Sequence, residues 1–196
     1  MPSPRTTTRR LARLRALYAL HYGGAGLWIP YLAPFLEAAG VSGASQGVLF
    51  ALRNAAFVFT QPLLGLLADR VGIARVLKGS AIAAAVTWLL VLRGGGRIEV
   101  AAVFLLMAVG VSALAGLIDA NVLATLEGPG GEDAGGPRAF ARSRISGSIG
   151  FALAALVFGV MIAGGTPGAA RTAIVAVAFL QVATALLALT APSDVR

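Results

Sequence analysis

Of the ionisable side chains inside stretches long and apolar enough to lie in a membrane, His21, Arg53, Asp119 and Arg144 are the candidates for chemistry. Arg53 comes about seven residues into its stretch, which at about 1.5 Å per residue of helix is a depth of about 10 Å. Asp119 lies in the inner half of a later stretch, and Arg144 just inside the next one. A charge held against lipid at mid-membrane costs about 2.5–3.5 kcal/mol on an insertion scale, so these groups are expected to face a water-filled cavity or one another. Asp119 and Arg144 fall near the same ends of two stretches joined by one loop, so antiparallel packing would bring them together. Such a pair can line a solute path. It can equally lock two helices with no solute role, and Arg144 is close enough to an interface to snorkel. Arg53 has three readings: a cavity residue, a residue snorkelling to the outer interface, or a partner of Asp119. His21 is a candidate proton carrier or a plain hydrogen-bonded residue. Asn54 and Gln61, the latter followed by Pro62, can line a cavity or bond neighbouring helices.

Other chemistries lack their parts. The chain has no cysteine and one histidine, so it has no disulfide, no thiol nucleophile and no histidine-cluster metal site. The run Gly147-Ser148-Ile149-Gly150 resembles an intramembrane serine-protease site, but that chemistry needs a histidine close by, and His21 is on a distant stretch. No nucleophile–base or metal set is present, so an enzyme is not expected, nor any cofactor. Gly147, Gly150, Ala154, Ala155, Gly159 and Ala163 recur at helical spacing and predict close helix packing. Trp28 and Tyr31 either anchor the first helix at an interface or line a cavity.

These residues need membrane helices to hold them. Of the 196 residues, 58% are hydrophobic and 12% charged, against about 45–50% apolar and about 25% charged in soluble domains. A soluble protein this small could not bury so much apolar surface, and the mean hydropathy of +0.84 predicts an all-α membrane protein. Six spans of about 20 residues are expected, at 14–38, 45–68, 75–92, 98–126, 139–163 and 171–191. Backbone groups in lipid must pair internally, so the spans are helices; no segment alternates as a barrel strand does. The first span is too long for the apolar core of a cleaved signal peptide, and five more follow it. Glycine-rich connections fall at 40–43, 94–96, 128–137 and 164–168, and GPGGEDAGGP is expected to be a flexible loop.

The net charge of +8 and pI of 11.4 could suggest nucleic acid, but the basic residues cluster between spans, as topology signals do. With the N-terminus inside, twelve Lys and Arg fall on inner segments and three on outer ones. That bias predicts a multi-pass protein of the cell (plasma) membrane with both ends in the cytoplasm. The expected layout is a basic N-terminus at 1–13, a six-helix domain at 14–191 with a cytoplasmic loop at 127–138, and a short tail at 192–196.

Between the second and third spans the chain reads Gly65-Leu-Leu-Ala-Asp69-Arg70-Val-Gly72-Ile-Ala-Arg75. This resembles the G-x-L-A-D-R-x-G-x-x-R signature of the major facilitator superfamily. In that family the acidic residue pairs with helix ends and basic residues as a conformational latch, a role the resemblance implies for Asp69, Arg70 and Arg75, turned by Gly65 and Gly72. Ile73 and Ala74 stand where further basic residues are common. Gly26-Leu-Trp-Ile-Pro30-Tyr31-Leu32-Ala-Pro34 resembles the first helix, and Arg142-Ser-Arg144-Ile-Ser146-Gly147-Ser148-Ile-Gly150-Phe151 the fifth, of the branch holding lactose permease, nucleoside symporters and phenylpropionate permease. There an acidic residue of the fourth helix pairs with this arginine and helps bind sugar-like substrates, positions that Asp119 and Arg144 match; Ser146 stands where an aromatic residue is common.

The resemblance implies six transmembrane helices as two inverted three-helix repeats, half of a twelve-span fold with a midplane site. The expected function is transport of a small polar solute (a sugar, nucleoside or organic acid) by alternating access, with proton coupling as in symporters. Asp119 and Arg144 would contact solute, with Arg53 and His21 as secondary cavity residues. The expected partners are the bilayer, the solute, protons, and a homodimer mate or second six-helix half. The alternatives are a truncated or non-transporting half serving as an assembly subunit, and a drug-efflux-type carrier.

Overall fold

The computed structural model describes residues 4–41, 43–93, 97–127, 136–164 and 168–190. Among them all regular structure is helical, arranged in six passes. The first pass is α1 (Pro4–Trp28), a 3₁₀ turn (Ile29–Tyr31) and α2 (Leu32–Ala38). The second is α3 (Gly43–Val71), the third α4 (Ile73–Leu92). The fourth is α5 (Arg97–Ser112) with α6 (Leu114–Glu127), the fifth α7 (Gly136–Ala163) and the sixth α8 (Ala169–Leu189). Five of the passes are long and apolar enough to cross a membrane. The first carries five arginines in α1 and is broken near its far end.

Two expectations about the first pass change. Helix begins at Pro4, so most of the basic segment 1–13 is the opening of α1 and not a separate tail. Pro30, which has no N–H to donate, lies within the 3₁₀ turn that ends α1 at Trp28. The fourth span is also divided, at Ala113. There the side-chain amide of Gln61 on α3 donates to the Ser112 carbonyl at 3.1 Å, which supplies a partner where α5 stops. The connections 94–96 and most of 128–137, with the tail 192–196, lie outside the described residues.

Two tight turns need glycine. Gly40 ends α2 with φ +81°; its N–H bonds the Glu37 carbonyl at 2.9 Å and Val41 N–H bonds the Leu36 carbonyl at 2.8 Å. That double bond is a Schellman cap, and its apolar contact is present too, since Leu36 and Val41 are both buried in one cluster. Gly72 alone joins α3 to α4 with φ +103° and ψ +138°, a region closed to side chains with a Cβ. The signature motif therefore holds glycine at 72 for a backbone reason.

The packing has an internal two-fold. The first pass lies chiefly on the fifth and sixth, the fourth lies on the second and third, and the third packs on the sixth. Exchanging passes 1, 2, 3 with 4, 5, 6 maps this pattern onto itself, and three passes per unit reverse the direction of each helix. The domain is thus two inverted three-helix repeats. Its core has two layers. One, toward the chain ends, holds Leu17, Tyr18, Leu77, Leu114 and Ile118; the other holds Trp28, Trp88, Phe104, Met107 and Val177. Arg13 donating to the Thr190 carbonyl at 2.6 Å ties the start of α1 to the end of α8, so both ends share one face, called here the terminal face.

The α1–α7 contact is the closest. A methyl group at Gly26 would overlap the Phe151 carbonyl, and one at Gly150 would overlap the Ala19 backbone. At Gly147 it would meet the Tyr22 ring at 2.8 Å. The small-residue spacing of the fifth span is a packing face, as its pattern predicts.

Candidate functional site

Asp119 lies in the second turn of α6 and Arg144 in the third turn of α7, and the antiparallel arrangement brings Arg144 Nε to 3.6 Å from Asp119 Oδ1. The pair is not sealed: the side chains are 27% and 58% exposed for Asp119 and Arg144 respectively. A third group joins them. Tyr18 of α1 donates its hydroxyl hydrogen to Asp119 Oδ1. Tyr18 is buried and stacks on Tyr22, one turn along α1, with ring centroids 6.2 Å apart. The Arg144 guanidinium stands 5.9 Å from the Phe140 ring. Tyr18 was not among the residues picked from sequence. The available signal was a tyrosine in an apolar span, because a buried phenol needs a partner for its O–H.

This arrangement can bind a polar solute. Asp119 receives one hydrogen bond from a rigid phenol and one charge contact from Arg144. Arg144 faces Asp119 through Nε, and its terminal amino groups are available to a hydroxyl, carbonyl or carboxylate at the open face. Asp119 can accept a hydroxyl hydrogen on its other oxygen. The site therefore offers a donor fork and an acceptor side by side, the pairing suited to a molecule with adjacent hydroxyl groups.

A polar seam continues from the site toward the terminal face. Ser146 Oγ donates to the Arg15 carbonyl at 3.0 Å, and Arg15 Nε donates to Ser143 Oγ at 3.4 Å. Arg10 donates to Asn121 Oδ1 at 3.0 Å. These bonds fasten α1 to α6 and α7, so Ser146 acts in the α1–α7 joint.

The four ionisable residues do not form one cluster. Arg53 lies away from Asp119, with its guanidinium 4.6 Å from the Phe57 ring and 5.7 Å from the Trp28 ring. Of its three readings, pairing with Asp119 does not occur. Stacking on two aromatic faces accounts for a cation in an apolar setting, since a desolvated cation–π contact contributes about 2 kcal/mol. His21 is buried, edge-on to Tyr22 at 5.1 Å, and its Nδ1 has no hydrogen-bond partner among the described residues. In the signature motif, Arg75 donates to the Val71 carbonyl at 2.8 Å and so caps the last turn of α3, where a cation also suits the helix dipole. Asp69 and Arg70 are exposed, with no hydrogen bond or ion pair among the described residues.

The profile of the MFS_1 like family matches residues 11–195. The chain belongs to this family. Membership makes it a multi-pass membrane protein of a transporter family and not an enzyme. Two solved structures share its fold. A variant of the nucleoside transporter NupG superposes with a TM-score of 0.80 at 24% identity, covering 94% of this chain and 44% of that one. NupG itself gives 0.76 at 23% identity, covering 93% and 44%. This chain thus spans less than half the length of the transporters it resembles, and its two repeats correspond to half of a major facilitator fold. No curated protein sequence matches it.

Proposed function

We propose that the chain is one half of an alternating-access carrier for a small polar solute, with Tyr18, Asp119 and Arg144 as its contribution to the solute site. The observation that carries this reading is the part-exposed ion pair on which the Tyr18 hydroxyl also converges. Family membership and the nucleoside-transporter fold of the NupG structures support a sugar, nucleoside or organic acid as the solute. The facing wall comes from a second six-helix half or from a second copy of this chain. The buried imidazole of His21 is the group we assign to proton coupling, and Arg53 holds the opposite end of the cavity wall through Trp28. Asp69, Arg70 and Arg75 latch the terminal face; Asp69, exposed and with no ion pair among the described residues, is placed to meet the other half. The Lys and Arg bias puts that face, with both chain ends, in the cytoplasm of a cell that carries the protein in its inner membrane.

A second reading is a half that assembles with others but carries no flux, in which the Asp119–Arg144 contact only locks α6 to α7. Proteoliposomes holding only this chain, offered labelled uridine, lactose and phenylpropionate, separate the two. The carrier reading expects saturable uptake of at least one solute and a dimer in detergent. No uptake of any of them with a monomer in detergent favours the non-transporting half.

A further inference from the structure

The fourth pass breaks at Ala113 with no proline to break it. The residues around the break, Val111-Ser112-Ala113-Leu114-Ala115-Gly116, can all be helical, so no covalent feature forbids a continuous helix there. α6 opens with the Leu117 N–H on the Ala113 carbonyl at 2.8 Å, one residue too late for the Gly116 N–H to close on the Ser112 carbonyl. Ser112 is buried, and its carbonyl takes the Gln61 side-chain amide at 3.1 Å. The Ser112 hydroxyl in turn donates to the Val109 carbonyl at 2.9 Å. A side chain inserted into the hydrogen-bond ladder is one of the few causes of a sharp helix break, and Gln61 reaches this ladder from another helix.

The break divides the fourth pass between two sets of neighbours. α5 packs on α3 and α4, whereas α6 packs on α1, α4 and α7 and carries Asp119 in its second turn. Gly116, in the first turn of α6, has open space beside it, with nothing within 4 Å of a Cβ at that position. The turn that follows the break therefore has room to move, and the carboxylate of the solute site rides on the segment it would move.

We infer that Gln61 is a positioning residue for Asp119, acting through a hinge at Ala113. The Ser112 carbonyl has two competing donors, the Gln61 amide and the Gly116 N–H. With Gln61 bonded, the pass is broken and α6 holds the Asp119 carboxylate against Arg144 and Tyr18. With Gly116 bonded, the pass is one continuous helix, α6 realigns with α5, and Asp119 leaves Arg144. These are two discrete arrangements of one element, the kind that a solute or a neighbouring helix can bias. α3, which touches none of the three site residues through Gln61, thus sets the geometry of a site built on α1, α6 and α7. The use of the hinge rests on the solute-site reading of that cluster; its existence does not.

The chain has no cysteine, so pairs can be introduced cleanly. Asp119→Cys with Arg144→Cys reports the approach of α6 to α7. Arg15→Cys with Ser146→Cys reports the α1–α7 joint, which the hinge does not move. The measurement is the rate at which a short bifunctional thiol reagent joins each pair in lipid nanodiscs. Gln61→Met keeps the reach of the side chain and removes its donor. It should slow joining of the 119–144 pair by roughly threefold to tenfold, the shift set by one net hydrogen bond, and leave the 15–146 pair unchanged. Gln61→Lys, which restores a donor, should bring the rate back. Gly116→Pro has no N–H to offer the carbonyl, and proline is tolerated in the first turn of a helix, so in that background Gln61→Met should change nothing. An unchanged 119–144 rate in Gln61→Met would overturn the inference. So would a loss that Gln61→Lys does not restore, one that spreads equally to the 15–146 pair, or one that persists with Gly116→Pro. If Gly116→Pro does not fold, the Gln61→Lys arm decides alone. No solute enters this measurement, so an absence of uridine, lactose and phenylpropionate uptake would sink the carrier reading and leave the hinge standing.

Discussion

Asp119→Asn and Arg144→Ala should each cut solute uptake by about tenfold or more while leaving the protein folded and inserted. An ion pair with side chains 27% and 58% exposed contributes about 0–1 kcal/mol to stability, because water competes for both charges. A hydrogen bond from either charge to a bound solute contributes about 1.5–3 kcal/mol, and about 1.4 kcal/mol is a factor of ten. Losing one partner should therefore be felt in uptake and hardly in folding. Tyr18→Phe belongs to the same series, since it removes the one hydroxyl that positions the Asp119 carboxylate. The measurement is initial uptake rate in proteoliposomes, normalised to inserted protein. If both single variants carry solute normally, the pair has no transport role. If both are poorly inserted and the double variant recovers insertion, the pair is a helix lock.

Gly150→Val has the opposite signature: it should abolish the folded protein altogether. The Gly150 Cα faces the Ala19 backbone of α1, and even a methyl group there would overlap main-chain atoms that no rotamer change can move. Gly26→Val should behave alike, because its added atoms would enter the Phe151 carbonyl. Overpacking at a rigid site commonly costs about 1–3 kcal/mol; here the whole α1–α7 contact must separate, so the effect exceeds that range. Gly116→Ala is the matched control, since nothing lies within 4 Å of a Cβ there. The readout is the fraction of monodisperse protein after extraction in mild detergent. Normal yield from Gly150→Val would mean that α1 and α7 do not pack backbone to backbone at this glycine.

The sequence carried much of this architecture for identifiable reasons. Hydrocarbon-length apolar runs placed the six passes, because a bilayer fixes the length of a span. Asp119 and Arg144 could be paired because they lie near the same ends of spans joined by one loop, which makes antiparallel neighbours of them. The motif around Asp69 exposed the α3–α4 turn, and Gly72 at φ +103° shows why its glycine is needed. What could not be read were contacts between distant segments. Tyr18 meets Asp119 across 101 positions, and Arg53 settles on Trp28 and Phe57 instead of on a carboxylate. A span pattern tells which residues are in lipid-length helices, but not which faces meet. Pro30 marks the break at 29–31 in the sequence, because a proline inside a helical run ends or kinks it, whereas the break at Ala113 has no proline or charge to announce it.

The central claim is that the Tyr18–Asp119–Arg144 cluster faces a wet passage. The chain has no cysteine, so single cysteines at 18, 119 and 144 can each be labelled cleanly, with Val122, fully buried one turn from Asp119, as the sealed reference. The measurement is the rate of reaction with a membrane-impermeant maleimide in sealed vesicles. Cysteines at 119 and 144 should react fast, while position 122 stays inert. Equal inertness at 119, 144 and 122 from both sides of the membrane would mean a dry bundle and contradict it.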